Sequence, residues 1–268
     1  MLKKYSFLFL FLAIATFCNA QESLILNPIY IPSADTTWIF TPKDYATSNK
    51  KYPVVFMLHG WSANYKQWNS IINCQKFADG YGFILVCPDG FFDSWYINSP
   101  KKTLGQYADF FFKNLVPTIK QNYAKVDDKN MFITGLSMGG HGALYLFMHD
   151  PEVFKAAGST SGLMDLRTEA TSFGLMKLLG TPDADYANWY KFSAINNVAK
   201  LANIGKEIIF DCGTEDKFYA TNLQFRQKCD ENKVKATFIA QPGKHEKPYW
   251  KKSIKQHFDF FKRIIDGN

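Results

Sequence analysis

Apolar runs of strand length recur along the chain, at residues 54–58, 82–87, 131–134 and 207–212, with a strand through small residues at 154–160 and a last strand at 235–240. Runs without alternation mark strands buried on both faces. Between them, residues 68–78, 103–123, 138–148, 221–232 and 249–265 carry apolar positions at helical spacing. Two looser, alternating stretches at 23–31 and 37–41 predict amino-terminal strands, punctuated by Pro32 and Pro42. Strands alternating with helices predict an α/β fold, a mostly parallel central sheet with helices on both faces. Residues 161–203 break the rhythm. They predict two or three short helices carrying Trp189, Tyr190 and Phe192. This small helical insertion falls beside the carboxyl ends of the strands, where such sheets bind ligands, so a lid or pocket wall is expected there.

Composition changes this picture little. A chain of 268 residues with 47% hydrophobic positions suits one large domain, expected over residues 21–268. Residues 1–20 read as a secretory signal peptide: Lys3 and Lys4, an apolar centre at 7–17, and Cys18-Asn19-Ala20 as a small-x-small cleavage site. Cleavage after Ala20 would leave a secreted or periplasmic protein with no stable membrane anchor. Losing the two leader lysines takes the formal charge from +7 to +5. The basic pairs Lys50-Lys51, Lys101-Lys102 and Lys251-Lys252 are scattered, so nucleic acid is not an expected partner. Cys74, Cys87, Cys212 and Cys229 remain, an even number that permits disulfides, although buried free thiols fit their apolar settings as well.

The chemistry centres on Gly135-Leu136-Ser137-Met138-Gly139, between an apolar strand and an apolar helix. A G-x-S-x-G in that setting predicts a nucleophile elbow, with Ser137 exposed at a tight turn and Gly135 and Gly139 leaving room for it. A serine needs a base, and the base needs an acid to orient it. His141 and His149 lie along the helix that Ser137 opens, His257 lies inside the terminal helix, and His59 suits a structural role in the turn after an early strand. His245, in the loop before the last helix, follows the chain order of nucleophile, acid and histidine. The acid comes from Asp211-Cys212-Gly213-Thr214-Glu215-Asp216, with Asp216 favoured over Glu215. Two backbone N–H groups should form an oxyanion hole, one from Met138 and one from Trp61, with Gly60 allowing close approach of the substrate. Gly158-Ser159-Thr160-Ser161-Gly162 reads as a tightly packed strand end. No metal cluster, phosphate loop or nucleotide motif is present in the sequence, so no metal or other cofactor is expected.

Together, Leu58-His59-Gly60, Pro88-Asp89-Gly90, Ser94-Trp95-Tyr96, Gly135 through Ala143, Gly158 through Gly162, Asp211 through Asp216 and Pro242-Gly243-Lys244-His245 resemble the esterase D-like branch of the α/β-hydrolases. That branch includes feruloyl, acetylxylan and tributyrin-type esterases and S-formylglutathione hydrolases. The resemblance implies Ser137, Asp216 and His245 as catalytic residues, oxyanion donors at Trp61 and Met138, and Trp95 against the substrate. Lys244 and Glu246 depart from the usual residues around the histidine, which bears on the pocket rim. An exported member is expected to be a serine esterase acting on an acylated polysaccharide or oligosaccharide, removing feruloyl or acetyl groups from plant cell walls. The aromatic residues at 91–96 and Trp189 and Tyr190 are candidates to stack on an acyl group or sugar face. The alternatives are a general short-chain esterase or acyltransferase, a thioesterase of the S-formylglutathione hydrolase type, and a binding protein without catalysis.

Overall fold

A computed structural model describes residues 21–267; the expected signal peptide at 1–20 lies outside the described residues. Eight strands form one sheet in the order β1-β2-β4-β3-β5-β6-β7-β8. They are β1 (Gln21–Leu26), β2 (Asp35–Phe40), β3 (Tyr52–Leu58), β4 (Ile84–Cys87), β5 (Val126–Gly135), β6 (Ala156–Thr160), β7 (Glu207–Gly213) and β8 (Lys235–Gln241). β1 and β2 run antiparallel to their neighbours, and β3 to β8 are parallel. Strand order reverses around β3 and β5. A crevice opens at such a switch point, above the carboxyl ends of the strands.

Strands β3, β4, β6 and β7 are buried from both sides, whereas the edge strand β8 is partly exposed along its length. Val54, Phe56 and Leu58 of β3 face one core, and Val55 and Met57 face the other. The first core is covered by α3 (Tyr107–Phe110), α4 (Val116–Asn122), α5 (Met138–His149), the insertion and α8 (Tyr219–Glu231). The second lies under α1 (Gln67–Ile71), α2 (Cys74–Tyr81) and α9 (Lys247–Asp266). Much of the aromatic content is consumed here, as in the stacked pair Phe132 and Phe261, with ring centroids 4.7 Å apart. The four described cysteines are buried free thiols.

Two expected helices are interrupted. Residues 68–78 divide into α1 and α2 because Asn73 takes an extended conformation and its side chain accepts the Lys76 N–H, restarting the helix. Residues 103–123 contain a π-helical stretch, Phe111–Leu115, between α3 and α4. Pro117 lies just beyond it; its ring cannot donate to the carbonyl four residues earlier and crowds it, and a widened turn relieves both. The insertion adds α6 (Leu175–Leu179), α7 (Tyr186–Phe192) and two 3-10 segments, Leu166–Glu169 and Ala194–Leu201.

A buried polar cluster ties the sheet to α9. His257 bonds Asp211 Oδ2 at 2.7 Å through Nε2 and Thr134 Oγ1 at 2.7 Å through Nδ1. The Thr160 hydroxyl donates to Asp211 Oδ1 at 2.8 Å and meets Ser253 Oγ at 2.7 Å. Three adjacent strands and the terminal helix are thus joined by buried hydrogen bonds, where loss of one partner leaves the other unsatisfied and is costly.

His141 on α5 gives the acid sensitivity of this core. It is fully buried, and Nε2 bonds the Phe192 carbonyl at 2.9 Å. Burial pushes its pKa down to about 4. Between pH 6.5 and 4 the unfolded chain therefore takes up a proton at this site that the folded chain refuses, so stability falls as pH falls through that window. The size is about 3 kcal/mol, at about 1.4 kcal/mol per pKa unit. In urea denaturation, His141→Gln, which retains a donor for Phe192, is expected to lose about 3 kcal/mol less than the wild type between pH 7 and pH 4.

Candidate active site

The site is built from the carboxyl ends of β3, β5, β7 and β8. At the end of β5 the chain turns at Ser137, whose φ of 54° and ψ of −118° lie outside the regions favoured by residues with a side chain. Neighbouring strands hold this conformation. Leu136 N–H donates to Leu58 O at 3.2 Å, and Ser137 N–H donates to Thr160 O at 3.0 Å. A Cβ on Gly135 would collide with Gly139 O, and one on Gly139 with Leu58 O and His59 O. The elbow thus closes only with glycine at both positions. Met138 begins α5, so its N–H is among the helix donors with no intrahelical acceptor.

β7 and β8 run side by side and bring the acid loop against the histidine loop. Thr214 N–H donates to Gln241 O and Glu215 N–H to Gly243 O, each at 3.0 Å. Gly213 lies so close to Gly243 O that a side chain there would collide with it. In this frame His245 Nδ1 lies 2.9 Å from Asp216 Oδ2 and 3.1 Å from Oδ1, and Nε2 lies 2.9 Å from Ser137 Oγ. Burial acts to raise the Asp216 pKa. The His245 ring and the Phe218 N–H at 2.9 Å outweigh it and hold the carboxyl below its ordinary value. An ionised carboxylate only accepts, so Nδ1 of His245 carries the proton and Nε2 is left to accept from Ser137. Phe218 and Trp250 pack edge-on against the ring, at centroid distances of 4.9 and 5.1 Å. Of the two acids read from the loop, Asp216 makes this contact. Glu215 is exposed and lies 3.8 Å from Lys244.

The turn after β3 completes the crevice. His59 is buried; its Nε2 accepts the Gly90 N–H at 2.6 Å, so Nδ1 carries the proton and donates to Gly60 O at 2.8 Å. Gly60 N–H donates to Gln67 Oε1 at 2.7 Å. With both its own N–H and its carbonyl held, the Gly60–Trp61 peptide is fixed in orientation. In a trans peptide the Trp61 N–H points opposite to that carbonyl. A Cβ on Gly60 would approach the Ser137 Cβ to 3.5 Å and collide with Leu136, so this backbone lies directly beside the serine.

The cleft at Ser137 has a volume of about 160 Å³; Gly60, Trp61, Phe173, Lys217 and Trp250 are among the residues around it. Trp95, expected against the substrate, lies behind this surface. It is only 1% exposed, and its indole N–H donates to Phe173 O at 3.2 Å, so it braces the residue that lines the cleft. Trp189 is likewise no stacking platform, being wholly buried, and exposed Tyr190 packs on Tyr186 away from the cleft. From residues 161–203, Phe173 lies at the cleft. Neither Phe173 nor Gln67, Lys217 and Trp250 was singled out from sequence. Lys217 and Trp250 follow Asp216 and His245 closely in the chain, which was the available signal. Phe173 offers only the adjacent Gly174, a mark of an unusual turn. Among the described residues no group of three or more His, Cys, Asp or Glu converges as a metal site.

Ser137, His245 and Asp216 thus form a continuous hydrogen-bonded line of hydroxyl, imidazole and carboxylate, suited to activating an oxygen nucleophile. The family model described as "Putative esterase" matches residues 31–261. An S-formylglutathione hydrolase of Arabidopsis thaliana is 24% identical over 220 residues, covering 74% of this chain and 77% of that protein. An endo-1,4-beta-xylanase/feruloyl esterase of Xylanibacter ruminicola is 30% identical over 196 residues, covering 68% of this chain and 27% of that longer protein. The solved structure of a ferulic acid esterase superposes with a TM-score of 0.74 at 24% identity, covering 91% of this chain and 98% of that one. The protein belongs to this esterase family and is a carboxylic ester hydrolase of the α/β-hydrolase fold.

Proposed function

We propose that the protein is a secreted serine esterase working through Ser137, His245 and Asp216, and that it removes short acyl groups, acetyl before feruloyl, from plant cell-wall polysaccharides such as xylan. The observation that carries the mechanism is the 2.9 Å contact of His245 Nε2 with Ser137 Oγ, with Asp216 on the opposite ring nitrogen. Ser137 Oγ attacks the ester carbonyl as its proton passes to His245 Nε2. The Met138 and Trp61 N–H groups receive the negative charge that develops on the carbonyl oxygen. As the tetrahedral intermediate collapses, the carbon–oxygen bond to the alcohol breaks and His245 returns the proton to the departing oxygen. An acyl group remains on Ser137. Water then repeats the sequence, activated by His245, and frees the acid. Asp216 stays ionised throughout and stabilises the imidazolium.

The acyl preference follows from size. A cleft of about 160 Å³ is smaller than the roughly 300–1,000 Å³ of sites that enclose drug-sized ligands. It suits an acetyl group better than a hydroxycinnamoyl group. The S-formylglutathione hydrolases among the relatives motivate a second reading, cleavage of a small thioester. The leader expected at residues 1–20 favours an extracellular or periplasmic ester instead.

Three measurements test these assignments. Ser137→Ala is expected to lose at least about 10³-fold in kcat on phenyl acetate, whereas a turnover near wild type would remove Ser137 from the mechanism. Asp216→Asn should lower kcat by about 10³- to 10⁴-fold with little change in KM, because the imidazole then lacks both its orienting charge and its correct tautomer. On feruloylated, acetylated arabinoxylan, residues 21–268 are expected to release acetate in excess of ferulate. Ferulate alone would overturn the short-acyl assignment, and release of neither, with S-formylglutathione still cleaved, would favour the thioesterase reading.

A further inference from the structure

Lys217 stands in the wall of the Ser137 cleft with no catalytic duty in the mechanism above. Its Nζ lies 4.5 Å from the ring centroid of Phe173 and 4.8 Å from that of Phe218. Both rings belong to the site. Phe173 packs edge-on against Trp61 at 5.3 Å, and Phe218 packs edge-on against His245 at 4.9 Å. Cation–π attraction to two rings holds an otherwise flexible ammonium against the cleft.

The acidic neighbours of Lys217 are already engaged. Asp216 receives His245 and the Phe218 N–H, and Glu215 lies 3.8 Å from Lys244. Among the described residues no carboxylate lies within ion-pairing distance of Lys217 Nζ. The aromatic rings offer it a quadrupole and no formal charge. Desolvation by a bound substrate would therefore leave this cation uncompensated unless the substrate itself brought an anion. A neutral ester gains nothing from it.

We infer that Lys217 is a specificity determinant that selects esters carrying a carboxylate close to the scissile bond. The inference rests on the esterase reading above and narrows its substrate class. The carboxylate has two chemical sources, the acyl group, as in a dicarboxylic half-ester, or the alcohol, as in an acylated sugar bearing a uronic acid. In both, the ammonium acts in binding and leaves the triad chemistry unchanged.

Two pairs of esters separate these sources. 3-Acetoxybenzoate against 3-acetoxybenzamide places the charge on the alcohol, and 4-nitrophenyl hemiglutarate against 4-nitrophenyl pentanoate places it on the acyl group. The wild type should prefer the charged member of at least one pair. Lys217→Gln should lower kcat/KM for that member by about 10-fold, chiefly through KM, since a hydrogen bond to a charged group contributes on that order. The neutral member should lose less than the charged one, so that the charged-to-neutral ratio of kcat/KM falls, and Lys217→Arg should retain the preference. Added salt should erode the preference in the wild type and not in Lys217→Gln. Equal losses on both members of each pair would overturn the assignment, as would a wild type that disfavours the charged member of both. Failure of the wild type to cleave any of the four esters would overturn the esterase reading instead.

Discussion

The close approach of backbones around Ser137 is the constraint on which the rest of the site depends. A serine at φ 54° persists only if its neighbours forbid relaxation, and two neighbouring strands do so here. β3 accepts the Leu136 N–H, β6 accepts the Ser137 N–H, and the glycine at 139 lets α5 start directly against the end of β3. The same contact that exposes the hydroxyl brings the Gly60–Trp61 peptide beside it. The Ser137 hydroxyl and one expected oxyanion donor are therefore set by one packing event.

A second constraint lies beneath the first. Strand β7 and the loop after it carry two carboxylates, and each meets a histidine from the end of the chain: Asp211 with His257, and Asp216 with His245. The Asp211 pair is entirely buried and bonded on every side by hydroxyls, which suits a clamp that fixes α9 against β5, β6 and β7. The Asp216 pair stands above the sheet with its histidine partly exposed, which suits proton transfer to a substrate. Chemically similar pairs thus differ in role through solvent access and through what the far ring nitrogen meets: Thr134 in one, Ser137 in the other.

These two constraints explain what was legible in the sequence. Continuous apolar runs report burial on both faces, so the parallel sheet could be read directly. The elbow carries its own glycines, and Asp216 and His245 follow strands in the required order. Helix interruptions were less visible because they turn on single groups, the Asn73 side chain and the missing N–H of Pro117. Trp95 was read as a substrate contact because its neighbours resemble a family block, yet a sequence block does not tell which side of a loop faces the cleft. Its burial and its bond to Phe173 O reverse that reading. Trp189 shows the same limit: an aromatic residue in an insertion fills the core unless geometry keeps it out.

The residues that line the cleft beyond the triad share no periodicity because they come from unrelated connections. Phe173 belongs to the insertion, Lys217 to the loop after β7, and Trp250 to the first turns of α9. None of them holds the Ser137 backbone, which is fixed by β3 and β6. The positions that set cleft size and charge are therefore mechanically separate from those that set the elbow. Phe173 takes a left-handed conformation at φ 56° and is braced from behind by the buried indole of Trp95, so the wall it forms is rigid without being part of the sheet. On such a scaffold, these cleft walls come from separate connections, and the line of Ser137, His245 and Asp216 comes from the strand ends. That division is why the elbow is legible in the sequence, while the substrate must be argued from Phe173, Lys217 and Trp250.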